Sequence, residues 1–81
     1  MKLSELKYGE TARIKALSDQ CQGEARRRLL DLGFVRGTVI SVQNISPLGN
    51  PVAYRLRETL IALRKEQADE VLIEKEEKEN E

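Results

Sequence analysis

Apolar residues along this chain change spacing several times, and each change predicts an element. "ETARIKAL" alternates, with Ala12, Ile14 and Ala16 on one side and Thr11, Arg13 and Lys15 on the other, the signature of a half-buried strand. Before it, "KLSELKYGE" offers Ser4 as an N-cap and a short turn carrying Leu6 and ending near Gly9. "SDQCQG" is polar, rich in capping residues, and leads into a helix over residues 24–32. "TVISVQNIS" and "VAYRLR" are β-rich runs joined by "PLGNP", which predicts a hairpin with Val52, Tyr54 and Leu56 on one face. "TLIAL" reads as a strand entered through a turn at Glu58 and Thr59, "RKEQADE" as one helical turn with Ala68 inward, and "VLIE" as a last strand.

Five short strands with turns of two to five residues predict a mainly β fold, a small barrel, with the helix inserted between the first two strands and capping one end. The expected core holds Ile14, Leu29, Leu32, Val42, Val52, Tyr54, Ile61, Leu63 and Ile73.

The helix contains three adjacent arginines in "RRRLLDLGF". At about 100° per residue from Ala25, Leu29 falls near 40° and Leu32 near 340°, a narrow apolar stripe. Arg27 lies opposite, whereas Arg26 and Arg28 flank the stripe, so the three cannot grip one phosphate together. Glu24 stands four residues before Arg28, the favourable order for an ion pair. Gly33 suits the left-handed position after a helix end, with Phe34 folding back onto Leu29. Leu30 points off the stripe, next to Arg26. Two accounts of it remain open: cover by Leu3 or Leu6 of the N-terminal segment, or a place in a cleft between helix and barrel where a partner docks.

Charge alters the picture at one end. Lysine plus arginine equals aspartate plus glutamate at 14 each, but "EKEEKENE" at the end carries a net of −3. We therefore expect a domain over residues 1–74 and a charged, disordered tail over 75–81. The net of +3 on the rest is weak for a nucleic-acid binder. No apolar run approaches the roughly 20 residues that cross a bilayer, and "MKLSELKYGE" has no signal-peptide character. With a single cysteine, Cys21, the chain reads as cytoplasmic, without disulfides and without direct membrane insertion.

Four pieces, "LKYGETARI", "RRRLLDLGFVRGTVI", "PLGNPVAYRLR" and "IALRKEQADEVLI", in that order over residues 3–73, resemble the FeoA family of ferrous-iron transport accessory proteins. The resemblance implies an SH3-like barrel with a helical insertion. It also implies a cytoplasmic role beside the membrane transporter FeoB, which carries its own GTP-binding domain. Transition-metal binding enters as a family-level association only. The same domain also occurs fused to iron-responsive repressors. Tyr8 stands where family members often carry proline, and Glu58-Thr59 replaces a turn where glycine is common.

The residues themselves offer no cofactor or metal site: there is no histidine, and Cys21 has no partner thiol. A weak site through carboxylates is the remaining metal option. No G-x-x-x-x-G-K loop is present and no nucleophile has a histidine base, so the chain is not read as an enzyme. The expectation is a non-enzymatic interaction module for FeoB, monomeric or weakly homo-oligomeric, with Arg26, Leu30, Arg36 and Leu48 as candidate partner-binding residues. The alternatives are an SH3-like nucleic-acid-associated module, which the few aromatic residues disfavour, or a detached repressor-type interaction domain.

Overall fold

Alternating apolar positions can bury only one face of a sheet, so five short strands must curl round a common core. The computed structural model, which describes residues 1–76, shows this arrangement. A 3-10 turn at Leu3–Glu5 precedes strand β1 (Thr11–Leu17), helix α1 (Gly23–Asp31), and strands β2 (Val39–Ile45), β3 (Val52–Leu56) and β4 (Thr59–Leu63). A single helical turn, α2 (Lys65–Ala68), leads to β5 (Val71–Lys75). The fold is mainly β and SH3-like, with its helix inserted between β1 and β2. All pairings are antiparallel, in the order β4-β3-β2-β1-β5.

This order leaves β4 and β5 at the ends of the ladder, so the sheet curls without abolishing its edges. The outer edge of β5 is taken up by the N-terminal residues. Lys2 bridges Leu72, and the Ile73 amide donates to the Met1 carbonyl at 2.8 Å. The outer edge of β4 has no strand partner among the described residues.

Leu3, Phe34, Ile40, Tyr54, Leu56 and Val71 are fully buried, with Ile14, Leu29, Val42, Leu63 and Ile73 beside them in one core. Val52 and Ile61, expected in the core, pack against its margin half-buried. Burial pushes the Tyr54 hydroxyl up from its ordinary pKa.

Four local expectations are corrected. Ala16 is exposed and Leu17 is buried, because a bulge between Ile14 and Ala16 reverses the alternation of β1. Ser4 is not an N-cap: it lies inside the 3-10 turn, and its hydroxyl donates to Asp69 across the fold. The hairpin between β3 and β4 turns at Arg57 and Glu58 rather than Glu58 and Thr59. Residue 75, assigned to the tail, belongs to the sheet, and residue 76 is tied to its edge. Lys75 lies in β5, and the Glu76 amide donates to Thr11 at 2.9 Å. The rest of the tail falls outside the described residues.

Candidate functional site

Helix α1 ends where the local sequence requires. The Phe34 amide donates to the Leu29 carbonyl and the Gly33 amide to the Leu30 carbonyl, both at 3.0 Å, with Gly33 at φ +109°. This pair of bonds seals the helix end, and the side chains of Phe34 and Leu29 are both buried in the core. The helix is thereby held on its Leu29 face, which exposes the two flanks.

On one flank, Arg26 and Leu30 border a groove of about 280 Å³ whose other walls include Lys15, Leu17, Val35 and Arg36. Leu3 and Leu6 do not cover Leu30. Both are buried in the core, and Leu30 stands 40% exposed. The structure thus brings together three of the four sequence candidates: Arg26, Leu30 and Arg36. Leu48, 94% exposed, lies in the turn after β2, whereas Arg36 lies before β2. A seven-residue strand separates them by roughly 20 Å, so Leu48 is not part of this groove.

Lys15, which strand alternation places on the solvent side, lines this groove, and beside it stands Ala16, which alternation turns inward. The bulge that turns Ala16 outward sets Lys15 and Ala16 side by side in the groove wall. One signal was available: Leu17 is an apolar residue on the phase that alternation assigns to solvent.

The electrostatics of this flank differ from the rest of the surface. Elsewhere, Arg13 Nε pairs with Glu76 at 2.7 Å, Lys75 with Glu10 at 2.7 Å and Lys65 with Asp69 at 3.3 Å. The Lys75 hydrogen bond, followed by the Lys7 amide, holds Glu10 below the usual carboxylate range. No carboxylate lines the Arg26 groove, and among the described residues Lys15, Arg26 and Arg36 enter no ion pair. Arg26 donates Nη1 to the carbonyls of Cys21 at 3.1 Å and Ser18 at 3.4 Å. These bonds satisfy the loop before α1 and fix the guanidinium at the rim. The expected Glu24–Arg28 ion pair does not form.

On the opposite flank a second groove, of about 410 Å³, runs between α1 and the β4–α2 segment. Leu32, expected in the core, is 37% exposed and lines this groove, because no element among the described residues packs over the last turn of α1 on that side. Four consecutive β4 residues, Leu60 to Leu63, line it too. Successive strand residues point to opposite faces, so only a groove lying along the free edge of β4 can touch them all. Cys21 sits at its base, buried, its thiol pushed up first by burial and then by nearby Glu70, with Arg26 opposing. A thiol so placed is a poor nucleophile.

No cluster of three or more histidine, cysteine, aspartate or glutamate residues that could hold a metal occurs among the described residues. No helix there is long and apolar enough to cross a membrane. Both flanks of α1 carry apolar grooves, and one adds three cations, of which Arg26 is held in place.

An SH3-like sheet with one inserted helix and grooves on both helix flanks defines a small β domain of SH3-like type. Comparison with known proteins makes this specific. The FeoA domain model matches residues 1–75, and the chain belongs to the FeoA family, whose members are small accessory domains of ferrous-iron transport. A curated relative from Porphyromonas gingivalis, a fusion of Fe(2+) transport protein A with the Fe(2+) transporter FeoB, is 39% identical over 74 residues. The match spans 91% of this chain but 8% of the fusion protein. The solution structure of iron(II) transport protein A from Clostridium thermocellum is similar at TM-score 0.85 and 40% identity, over 93% of this chain and 45% of that one. The crystal structure of Stenotrophomonas maltophilia FeoA complexed with zinc, described as an SH3 domain protein, is similar at TM-score 0.81 and 32% identity, over 91% and 89%.

Proposed function

We propose that this chain is a non-enzymatic, cytoplasmic accessory of ferrous-iron uptake that binds the transporter FeoB, with the Arg26–Leu30–Arg36 groove as the docking surface. The observation that carries the reading is the fused relative, in which a homologous domain and FeoB share one polypeptide. Fusion holds two modules at high effective concentration, which is useful where the modules work together. The groove supports it. An exposed leucine with a fixed arginine beside it is a composition typical of an interface anchor.

The test is retention of detergent-solubilised FeoB by the immobilised chain, wild type against Leu30→Gln. Because Leu30 is exposed, the substitution should leave the melting temperature within the range of ordinary surface changes. Retention of FeoB should fall at least about tenfold. A wild-type chain that retains no FeoB, with or without guanine nucleotide, would overturn the reading.

A further inference from the structure

The Arg26 groove has a charge pattern that its role as a docking surface does not by itself explain. Three cations reach it from three separate elements: Lys15 from β1, Arg26 from α1 and Arg36 from the loop between α1 and β2. The whole chain carries equal numbers of acidic and basic residues, yet no carboxylate lines this groove. Its floor is apolar, formed by Leu17, Leu30 and Val35.

Building on the docking role proposed above, we propose that this groove accepts an acidic peptide segment bearing an aliphatic anchor. The anchor lies on Leu17, Leu30 and Val35, and carboxylates on either side of it meet Lys15, Arg26 and Arg36. Two independent features support this occupant. The bulge in β1 turns Ala16 outward beside Lys15, so that consecutive residues line the groove; bulges commonly re-aim side chains beside functional sites. Arg26 is held in place by the Cys21 and Ser18 carbonyls through one nitrogen, which leaves its other donors for a ligand. A pre-positioned guanidinium loses little freedom on binding. Recession distinguishes a peptide from an anionic membrane. A planar headgroup layer reaches cations at a rim, but it cannot fill an apolar floor below them.

The probe is a synthetic peptide with one leucine between runs of glutamate, titrated into the isotopically labelled chain and followed by NMR. Perturbed amides should cluster at 15–17, 26–30 and 34–36. A glutamine-for-glutamate analogue should bind at least about tenfold more weakly, and affinity should fall as salt rises. Lys15→Glu combined with Arg36→Glu, both exposed and without hydrogen bonds to described residues, should abolish the perturbation while the melting curve persists. Equal binding by the analogue, perturbations elsewhere, or none at about 1 mM peptide would overturn the proposal. So would sedimentation of the domain with phosphatidylserine vesicles in place of any peptide response. A FeoB arm separates the two readings. FeoB retained equally by the double variant removes the groove chemistry but leaves the transporter reading intact. Peptide bound by a chain that ignores FeoB does the reverse.

Discussion

The Phe34 amide donates a hydrogen bond to the Leu29 carbonyl at 3.0 Å, and both side chains are buried in the one core. One residue pair therefore ends the helix and anchors it. Leu29→Ala should cost about 2–5 kcal/mol in denaturant unfolding. Leu32→Ala, three residues on but exposed, should cost about 1 kcal/mol or less. Gly33→Ala meets only ordinary contact, Leu56 Cδ1 at 3.4 Å, so its cost is backbone strain at φ +109°, about 1–2 kcal/mol. Equal losses at Leu29 and Leu32 would show that the helix buries a different face.

The Ser4–Asp69 bond predicts a pH dependence. The Ser4 hydroxyl, and after it Lys65, hold Asp69 below the usual carboxylate range, against an opposing effect of burial. Because the folded pKa is depressed, the unfolded chain protonates first as pH falls. The contribution is therefore complete at neutral pH and is lost as pH drops below about 4. Ser4→Ala should lower the melting temperature at pH 7, and the gap from wild type should narrow on acidification. A gap that is constant down to pH 2–3 would show that the bond does not depend on the charge of Asp69.

Arg57 holds φ +58° in the two-residue turn between β3 and β4, a conformation that side chains with a Cβ resist. Arg57→Gly relieves this and should stabilise the domain by up to about 1 kcal/mol, offset in part by the greater freedom of glycine when unfolded. A loss of stability on calorimetry would mean that the Arg57 side chain contributes more than its backbone strain costs.

The free edge of β4 carries Leu60, 55% exposed, with no charged residue between Thr59 and Leu63. Such an edge invites pairing with another chain. Leu60→Lys should leave the melting temperature unchanged and raise the protein concentration at which light scattering detects association. Unchanged scattering would place any self-association elsewhere on the surface.

What the sequence revealed was local. Gly33 and Phe34 announce the helix stop because every group involved lies within six residues. The β2–β3 hairpin is equally legible from its turn residues. The errors arise where distant segments decide. Leu32 satisfies the helical wheel, but whether an element covers it depends on where β4 and α2 lie. Ser4 has a capping residue's chemistry and spends it on Asp69, 65 positions away. In the candidate site, Arg26, Leu30 and Arg36 were readable because helix phase alone sets Arg26 and Leu30 beside each other and Arg36 follows the helix stop. The outward turn of Ala16 beside Lys15 was hidden because a bulge is a property of two paired strands.

That bulge is defined by the pairing of β1 with β5, the first strand with the last. Bringing such distant segments together carries a large loop-closure entropy, whereas β2, β3 and β4 close through short hairpins. The β1–β5 seam is thus the most non-local contact of the sheet, and it exists only once both ends of the described chain are in place. Ala16 and Leu17 acquire their directions only with that pairing, so a chain still lacking β5 cannot present the finished groove. The proposed docking surface is thereby tied to completion of the sheet.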